Sequence, residues 1–268
     1  MRRLLIFSFS LIAFSAHAAE SERAITVFAA SSLTNVLPDL TRAWAEKINS
    51  PLPRLSFGPS AIMARQVIAG APADIIISAH PDWITFLKEQ QQLTGKAVIV
   101  AENRLILVQP GSGLMVNIPL TRELLIKTIG RGRLAIADPS IAPAGVYARS
   151  YLRHLQLWER FQHRIAMGSS VRQTLLLVER GGMTGFVYAT DARLSSSVDI
   201  VGVVPTDKAP QILYAAGRTK RKGADADKLY AFLTSDVAAA IWRRHGFFNP
   251  TQSETLNTVS KQNIAVSN

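Results

Sequence analysis

Four segments of the sequence end a predicted strand or loop in small or hydroxyl residues, at the point where a helix is expected to begin. They are residues 28–33, 57–61, 143–146 and 168–171. The first turn of a helix leaves backbone N–H groups without partners, and the helix dipole adds a partial positive charge there. Small side chains let an anion approach, and serine hydroxyls add neutral donors. Each segment therefore has the chemistry of an anion site.

A single turn of this kind is weak evidence, because a serine before a helix is most often only its cap. Four such turns distributed over two α/β units are harder to explain as caps. In α/β sheets ligands bind at the carboxyl ends of the strands, where these turns lie. The four segments contain no lysine or arginine. The pattern therefore predicts a cleft between two units, in which neutral donors alone hold a doubly charged oxyanion.

The elements that must position these turns follow an α/β pattern. From residue 24 onward, short β-rich runs alternate with amphipathic helical stretches. This alternation predicts a two-lobed α/β fold, each lobe a mostly parallel sheet flanked by helices, with the ligand cleft between the lobes. Strands are predicted over residues 25–30, 55–57, 74–78, 104–108, 134–137, 185–188, 198–204 and 211–216. Helices are predicted over residues 33–47, 62–69, 81–90, 146–155, 171–180, 224–234 and 237–244.

The chain is expected to cross between the lobes twice. Residues 20–103 and 211–248 are assigned to the first lobe and residues 104–210 to the second, so the hinges should lie near residues 103–104 and 210–211. Residues 249–268 are rich in Ser, Thr, Asn and Gln and poor in large apolar side chains. That composition predicts a flexible polar tail.

The first residues have the pattern of a cleaved export signal. Arg2 and Arg3 precede an apolar run over residues 4–14, and Ala16 and Ala18 form a small-x-small cleavage motif. The apolar run is about eleven residues long, whereas a membrane-spanning helix needs about 20. We therefore expect residues 1–19 to be a signal peptide and the mature protein to be periplasmic.

Composition excludes several other classes of protein. An apolar content of 48% with 18% charged residues is that of a globular protein. The net charge of +11 comes from scattered basic residues, with one dense cluster at residues 218–222, so we expect a solvated basic face or weak steering of anions and no nucleic-acid binding. The absence of cysteine excludes disulfides, thiolate metal sites and an acylated-cysteine anchor.

A periplasmic hydrolase is the main alternative from another class. It would need a nucleophile with its base, or a metal cluster. The chain has no HExxH pair, no GxSxG elbow and no Walker-type phosphate loop. We therefore predict a binding protein with no catalytic residues. Past the signal peptide, the histidines are His80, His154, His163 and His245.

Four runs in order resemble the periplasmic molybdate-binding proteins of ABC transporters. They are residues 25–35, residues 64–74, residues 138–147 and residues 171–191, and the resemblance extends from about residue 25 to residue 247. It implies that the ligand is molybdate or tungstate and that there is no cofactor and no metal beyond the molybdenum or tungsten of the oxyanion. It also implies a monomer that serves a membrane permease with its ATPase.

The resemblance also implies which residues bind the anion. Ser32 and Ser60 would each offer a hydroxyl from the first lobe, Ala144 and Val171 would offer backbone N–H groups from the second, and Tyr188 would offer its phenol. Some positions depart from the family pattern: Ser31 often corresponds to alanine, Pro59 and Ala61 to serines, and His80 to an acidic or amide residue.

Other tetrahedral anions remain open as ligands. Phosphate sites usually include a carboxylate that accepts the ligand's proton, and Asp138 is the only acid close to a predicted anion turn. We interpret Asp138 as structural, because it precedes Pro139 and is separated from Ala144. Sulfate has the same charge and shape as molybdate and differs in size, so the dimensions of the cleft must discriminate between them.

Overall fold

The computed structural model describes residues 23–221 and 223–250. The predicted signal peptide and residues 251–268 of the predicted tail lie outside these residues. Within them, no helix combines the length and the apolar character needed to cross a membrane.

The first sheet is built from both ends of the described chain. It contains β1 (Thr26–Ala30), β2 (Arg54–Gly58), β3 (Ile75–Ser78), β4 (Leu93–Asn103) and β10 (Ile212–Thr219), in the order β2-β1-β3-β10-β4. Strand β1 pairs in parallel with β2 and β3, and β10 runs antiparallel to β3 and β4. Helices α1 (Val36–Ile48), α2 (Ser60–Ile68), α3 (Pro81–Glu89), α9 (Ala224–Phe232) and α10 (Asp236–Arg244) flank it. We call this assembly the first lobe.

The continuous apolar runs of β1 and β3 are buried on both faces of this sheet. Val27 and Ile75 face the larger hydrophobic core, whereas Phe28 and Ile76 face a second core formed with α2 and α3. Successive side chains of a strand point to opposite faces, so a run without alternation fits a sheet covered by helices on both sides.

The second sheet repeats the pattern with the intervening residues. It contains β5 (Leu105–Pro110), β6 (Leu134–Ala137), β7 (Ile165–Gly168), β8 (Thr184–Tyr188) and β9 (Val198–Val203), in the order β7-β6-β8-β5-β9. Strand β6 pairs in parallel with β7 and β8, and β5 runs antiparallel to β8 and β9. Helices α4 (Arg122–Ile129), α5 (Pro143–His154), α6 (Trp158–Phe161), α7 (Val171–Gly181) and α8 (Ala189–Ala192) complete the second lobe.

The prediction of a mostly parallel sheet in each lobe is wrong, because both sheets are mixed. The antiparallel pairings come from β10 and β5, the strands that enter each lobe after the chain has crossed over. Both sheets therefore have two parallel and two antiparallel pairings. The parallel half of each sheet is the half whose strand ends carry the predicted anion turns.

One local departure concerns the helix predicted over residues 33–47. A 3₁₀ turn, Ser31–Leu33, precedes α1, which begins only at Val36. The cause is local competition for backbone groups, because Thr34 donates through Oγ1 to the carbonyl of Ser31 at 2.7 Å. Ser32 therefore lies inside a tight turn and not before an α-helix.

Candidate functional site

The start of α7 leaves the backbone N–H of Val171 without a partner inside the helix. Ser170 is the cap: its Oγ accepts from the N–H of Gln173 at 3.3 Å, and its carbonyl accepts from that of Thr174 at 2.9 Å. The earlier N–H groups of a helix have no intrahelical acceptor. Val171 is buried, so its N–H lies in a sheltered position at the positive end of the helix dipole.

The start of α5 isolates the N–H of Ala144 in the same way. Pro143 has no N–H, and Gly145 and Val146 both donate to the carbonyl of Ala142, at 3.0 and 3.3 Å. Gly145 lets the helix approach the end of β6, because a Cβ at this position would lie 2.0 Å from the carbonyl oxygen of Ala137. The glycine therefore holds the neighbouring Ala144 N–H at the carboxyl end of the sheet.

Ser60 is the first residue of α2 and is almost completely buried. Its Oγ accepts from the N–H of Ala79 at 3.2 Å, which leaves its hydroxyl proton free to be donated elsewhere. Pro59 precedes the helix and is its cap residue. The N–H of Ala61 is used in another way, because it donates to the carbonyl of Ile141 in the second lobe at 3.2 Å.

Ser32 and Tyr188 meet around a third side chain, Tyr214. Ser32 Oγ lies 2.7 Å from Tyr214 Oη, and the rings of Tyr188 and Tyr214 pack edge to face at 6.3 Å. Tyr188 Oη is buried and has no hydrogen-bond partner among the described residues. Burial raises the pKa of Tyr188 well above its usual value, so the phenol keeps its proton and can act only as a neutral donor or acceptor.

The two lobes contact each other at two places near these donors, and the first lies around Ser60. Tyr147 of α5 donates to the carbonyl of Ala79 at 3.2 Å, and its ring stacks on His80 at 5.2 Å. The backbone bond from Ala61 to Ile141 lies beside them. We call Ser60, Ala61, His80, Ile141 and Tyr147 the Ser60 end of the cleft.

A second group of contacts lies around Ser32 and involves charged side chains. Arg172 of α7 donates through Nη2 to the carbonyl of Ser32 at 3.3 Å, and its Nε lies 2.6 Å from Asp191 Oδ1, an ion pair without hydrogen-bond alignment. Burial raises the pKa of Asp191 to about 7 although Arg172 lowers it. We call Ser32, Arg172, Tyr188, Asp191 and Tyr214 the Ser32 end of the cleft.

All five residues that the sequence predicted are buried beside the contacts between the lobes, and the structure adds others. Ser32, Ser60, Ala144, Val171 and Tyr188 are each at most 3% exposed and belong to the contacts just described or begin the helices that make them. Arg172 and Asp191 stand inside a run already singled out in the sequence, but nothing in the sequence indicated that they pair. Tyr214 is 182 residues from Ser32, so no local pattern could associate the two.

The five predicted donors of the site are neutral, and the charged side chains beside them are engaged with other groups. Asp138 accepts from the N–H and the hydroxyl of Ser140, at 2.8 and 2.7 Å, so its carboxylate already has donors in its own turn. Asp191 is paired with Arg172. Among the described residues there is no group of three or more His, Asp or Glu side chains that could hold a metal ion. The arrangement suits an anion that only accepts hydrogen bonds.

Comparison with known proteins gives matches along nearly the whole described chain. The pattern that defines the bacterial extracellular solute-binding proteins matches residues 25–248. Molybdate-binding protein ModA of Haemophilus influenzae is 34% identical over 227 residues, which are 83% of this chain and 89% of that protein. Molybdate-binding protein ModA of Escherichia coli is 32% identical over 239 residues, 88% of this chain and 93% of that protein.

A solved structure has the same fold. The periplasmic molybdate-binding protein of Azotobacter vinelandii superposes with a TM-score of 0.74 at 25% identity, covering 85% of this chain and 100% of that one. The predicted two-lobed α/β fold is thereby confirmed.

Proposed function

The chain belongs to the bacterial extracellular solute-binding proteins, in the family of molybdate-binding proteins, and we propose that it captures molybdate in the cleft between its lobes. Tungstate, an anion of the same charge and nearly the same size, should bind as well. The five donors predicted from the sequence form the proposed shell: the hydroxyls of Ser32 and Ser60, the N–H groups of Ala144 and Val171, and the phenol of Tyr188.

The buried phenol of Tyr188 is the observation that carries this proposal. A buried hydroxyl without a hydrogen-bond partner destabilises the folded protein, commonly by about 1–3 kcal/mol. An oxyanion is a pure acceptor, so it would supply the partner that Tyr188 Oη does not have among the described residues. The raised pKa of this phenol keeps the donated proton in place at neutral pH.

Neutral donors also support the choice of a dianion over a protonated ligand. Phosphate at neutral pH carries a proton that needs an acceptor, whereas molybdate, tungstate and sulfate carry none. Two carboxylates close in sequence to shell residues, Asp138 and Asp191, are already engaged by Ser140 and Arg172. The shell therefore favours a fully deprotonated tetrahedral anion.

Capture is proposed to occur by closure of the two lobes. The anion would first dock on one lobe, and the donors of the other lobe would then complete the shell. The anion would favour the closed form because only that form offers all five donors. Residues 20–103 with 211–248, and residues 104–210, would move as the two bodies. The chain crosses between the lobes near residues 103–104 and 210–211, which are the proposed hinges. A cavity of about 250 Å³ lies beside both hinges and is lined by Asn103, Arg104, Pro210 and Gln211 among others.

The protein is proposed to work in the periplasm together with an ABC importer. Residues 1–19 would be removed as a signal peptide, and the mature monomer would work in the periplasm. The closed form would present the anion to the permease of an ABC importer, whose ATPase supplies the energy. The protein itself would need no cofactor and catalyse no reaction.

A calorimetric titration of the mature protein with molybdate, tungstate, sulfate and phosphate tests this function. We expect molybdate and tungstate to bind at submicromolar concentration, and sulfate and phosphate to bind at least about a hundredfold more weakly, a difference of roughly 2.7 kcal/mol. Binding of sulfate without molybdate would overturn the proposed ligand. Turnover of a phosphate or sulfate ester would overturn the assignment as a binding protein.

A further inference from the structure

Behind Ser32 lies a chain of polar side chains that the anion itself would not touch. Tyr214 of β10 contacts Ser32 Oγ at 2.7 Å, and Asn103 Nδ2, at the end of β4, contacts Tyr214 Oη at 3.3 Å. Asn103 is 6% exposed and Tyr214 is completely buried. Polar groups in such surroundings are costly unless each hydrogen bond has a defined donor and acceptor.

The backbone fixes the orientation of the Asn103 amide. The N–H of Arg104 can only donate, and it lies 2.9 Å from Asn103 Oδ1. The opposite side of the amide is therefore the NH₂ group, which contacts Thr190 Oγ1 at 2.9 Å as well as Tyr214 Oη. Asn103 thus donates one proton to each hydroxyl.

The direction of the remaining bond follows from this orientation. Tyr214 Oη accepts from Asn103, and its own proton needs an acceptor, for which Ser32 Oγ is in reach at 2.7 Å. In the reverse direction, Ser32 would use its only proton on Tyr214 and would leave the phenol proton buried without a partner. That arrangement is unfavourable, and it would turn a lone pair of Ser32 towards the anion.

We propose that Asn103 and Tyr214 are positioning residues that fix Ser32 as a hydrogen-bond donor to the bound oxyanion. Protons are donated in one direction, from Asn103 to Tyr214, from Tyr214 to Ser32 and from Ser32 to the anion. Burial raises the pKa of Tyr214, which keeps the phenol proton in this chain. The inference rests on the proposed oxyanion site and extends it to two residues outside the shell.

A double-mutant cycle tests the coupling, with molybdate titrated into folded protein. Tyr214→Phe should weaken binding about two- to tenfold when Ser32 is present. In a Ser32→Ala background the same change should cost less than about twofold, because the hydroxyl that Tyr214 directs is gone. In a Ser60→Ala background it should again cost two- to tenfold, because Ser60 bonds to Ala79 and not to Tyr214.

Tyr230→Phe is the matched control for the loss of a phenol. Tyr230 of α9 donates through Oη to the carbonyl of Ala216 at 2.8 Å. Ala216 belongs to β10, as Tyr214 does, but Tyr230 makes no hydrogen bond to Ser32. The Tyr230→Phe substitution should leave molybdate affinity unchanged. Thermal unfolding of each variant without ligand measures any loss of stability separately from binding.

Asn103→Ala provides a second, independent cycle if Tyr214→Phe does not fold. Asn103→Ala removes the donor that orients the Tyr214 phenol. It should therefore weaken molybdate binding when Ser32 is present and have no effect in the Ser32→Ala background. Additive losses in both cycles would overturn this inference while leaving the proposed function intact. Wild-type protein that binds none of the four anions would instead overturn the proposed function.

Discussion

The two ends of the cleft join the same two lobes through different interactions. At the Ser60 end the contacts are neutral: a backbone bond from Ala61 to Ile141, a phenol bond from Tyr147 to Ala79 and an aromatic stack with His80. At the Ser32 end, Arg172 reaches across to the carbonyl of Ser32 while pairing with the buried Asp191.

The difference between the ends has an energetic consequence. A neutral hydrogen bond contributes about 1 kcal/mol, whereas breaking a buried ion pair leaves an uncompensated charge and costs several times more. The Ser60 end should therefore adjust affinity in small steps. The Ser32 end should decide whether the closed form is stable at all.

Arg172→Ala is expected to have the largest effect. It leaves Asp191 buried without its cation and places an unpaired acid beside the site, so the free energy of unfolding should fall by about 3 kcal/mol. Molybdate affinity should fall by about a hundredfold or more, roughly 2.7 kcal/mol. Chemical denaturation and calorimetry measure the two losses.

The double variant Arg172→Ala/Asp191→Asn is the control for Arg172→Ala. It removes both charges, so it should recover most of the lost stability while affinity stays low, because the contact from Arg172 to Ser32 is still absent. If Arg172→Ala alone costs no more affinity than a neutral contact at the Ser60 end, the proposed difference between the ends is wrong.

Ser32→Ala and Ser60→Ala should have the next largest effect, and a similar one at both ends. Each removes one hydrogen bond to a charged ligand, worth roughly 1.5–3 kcal/mol, or about ten- to a hundredfold in affinity. Calorimetric titration with molybdate measures the loss. If both variants bind as tightly as wild type, the assigned shell is wrong.

Much of this site could be predicted from local sequence, because helix starts and strand ends are local features. Residues 134–137, predicted as a strand, match β6 as observed, and α7 begins at the predicted Val171. The connection between the lobes could not be predicted, because the partners are distant in sequence: Arg172 is 140 residues from Ser32. Tyr147 and Ala79 are likewise separated by 68 residues.

The cluster at residues 218–222 shows a limit of reasoning from charge alone. The charge pattern predicts a solvated basic face or weak steering of anions, but Arg218 of this cluster is 5% exposed, pairs with Asp227 and donates to the carbonyl of Asp74. A basic residue near the end of β10 can therefore serve packing when backbone carbonyls converge on it. Strand β4 is absent from the predicted strands for a different reason. Its first half is largely exposed, so its sequence lacks the alternation of apolar and polar residues that indicates a strand.

Tyr147→Phe should have a smaller effect than either serine variant. It removes one neutral bond between the lobes, which should weaken molybdate binding by about two- to tenfold, mostly through faster dissociation. Tyr151→Phe is the matched control on the same helix, because Tyr151 donates to Leu120 within the second lobe. Stopped-flow dissociation rates that rise equally in both variants would contradict a role for Tyr147 in closure.

His80 should give the smallest effect, and its sign can be worked out. Burial lowers the pKa of His80 below 6.5, although Asp82, whose Oδ2 is 3.5 Å from Nδ1, raises it. The imidazole is stacked on Tyr147 and accepts from the N–H of Asp82 through Nδ1, and this acceptor role of Nδ1 favours the neutral ring. A depressed pKa means that closure is most favourable above pH 6.5 and weakens as the pH falls through that value.

Between pH 8 and pH 6 the loss of molybdate affinity attributable to His80 should be no more than about fourfold, the limit set when only the open form gains a proton at its ordinary pKa. His80→Gln should remove this step and leave any change due to the anion itself or to Asp191, whose pKa of about 7 lies in the same range, since both are common to the two proteins. Parallel pH profiles for wild type and His80→Gln would show that the Ser60 end does not sense pH. A steeper profile in wild type would mean that His80 at the Ser60 end adds a pH response of its own to that of Asp191, whose pKa is about 7, at the Ser32 end.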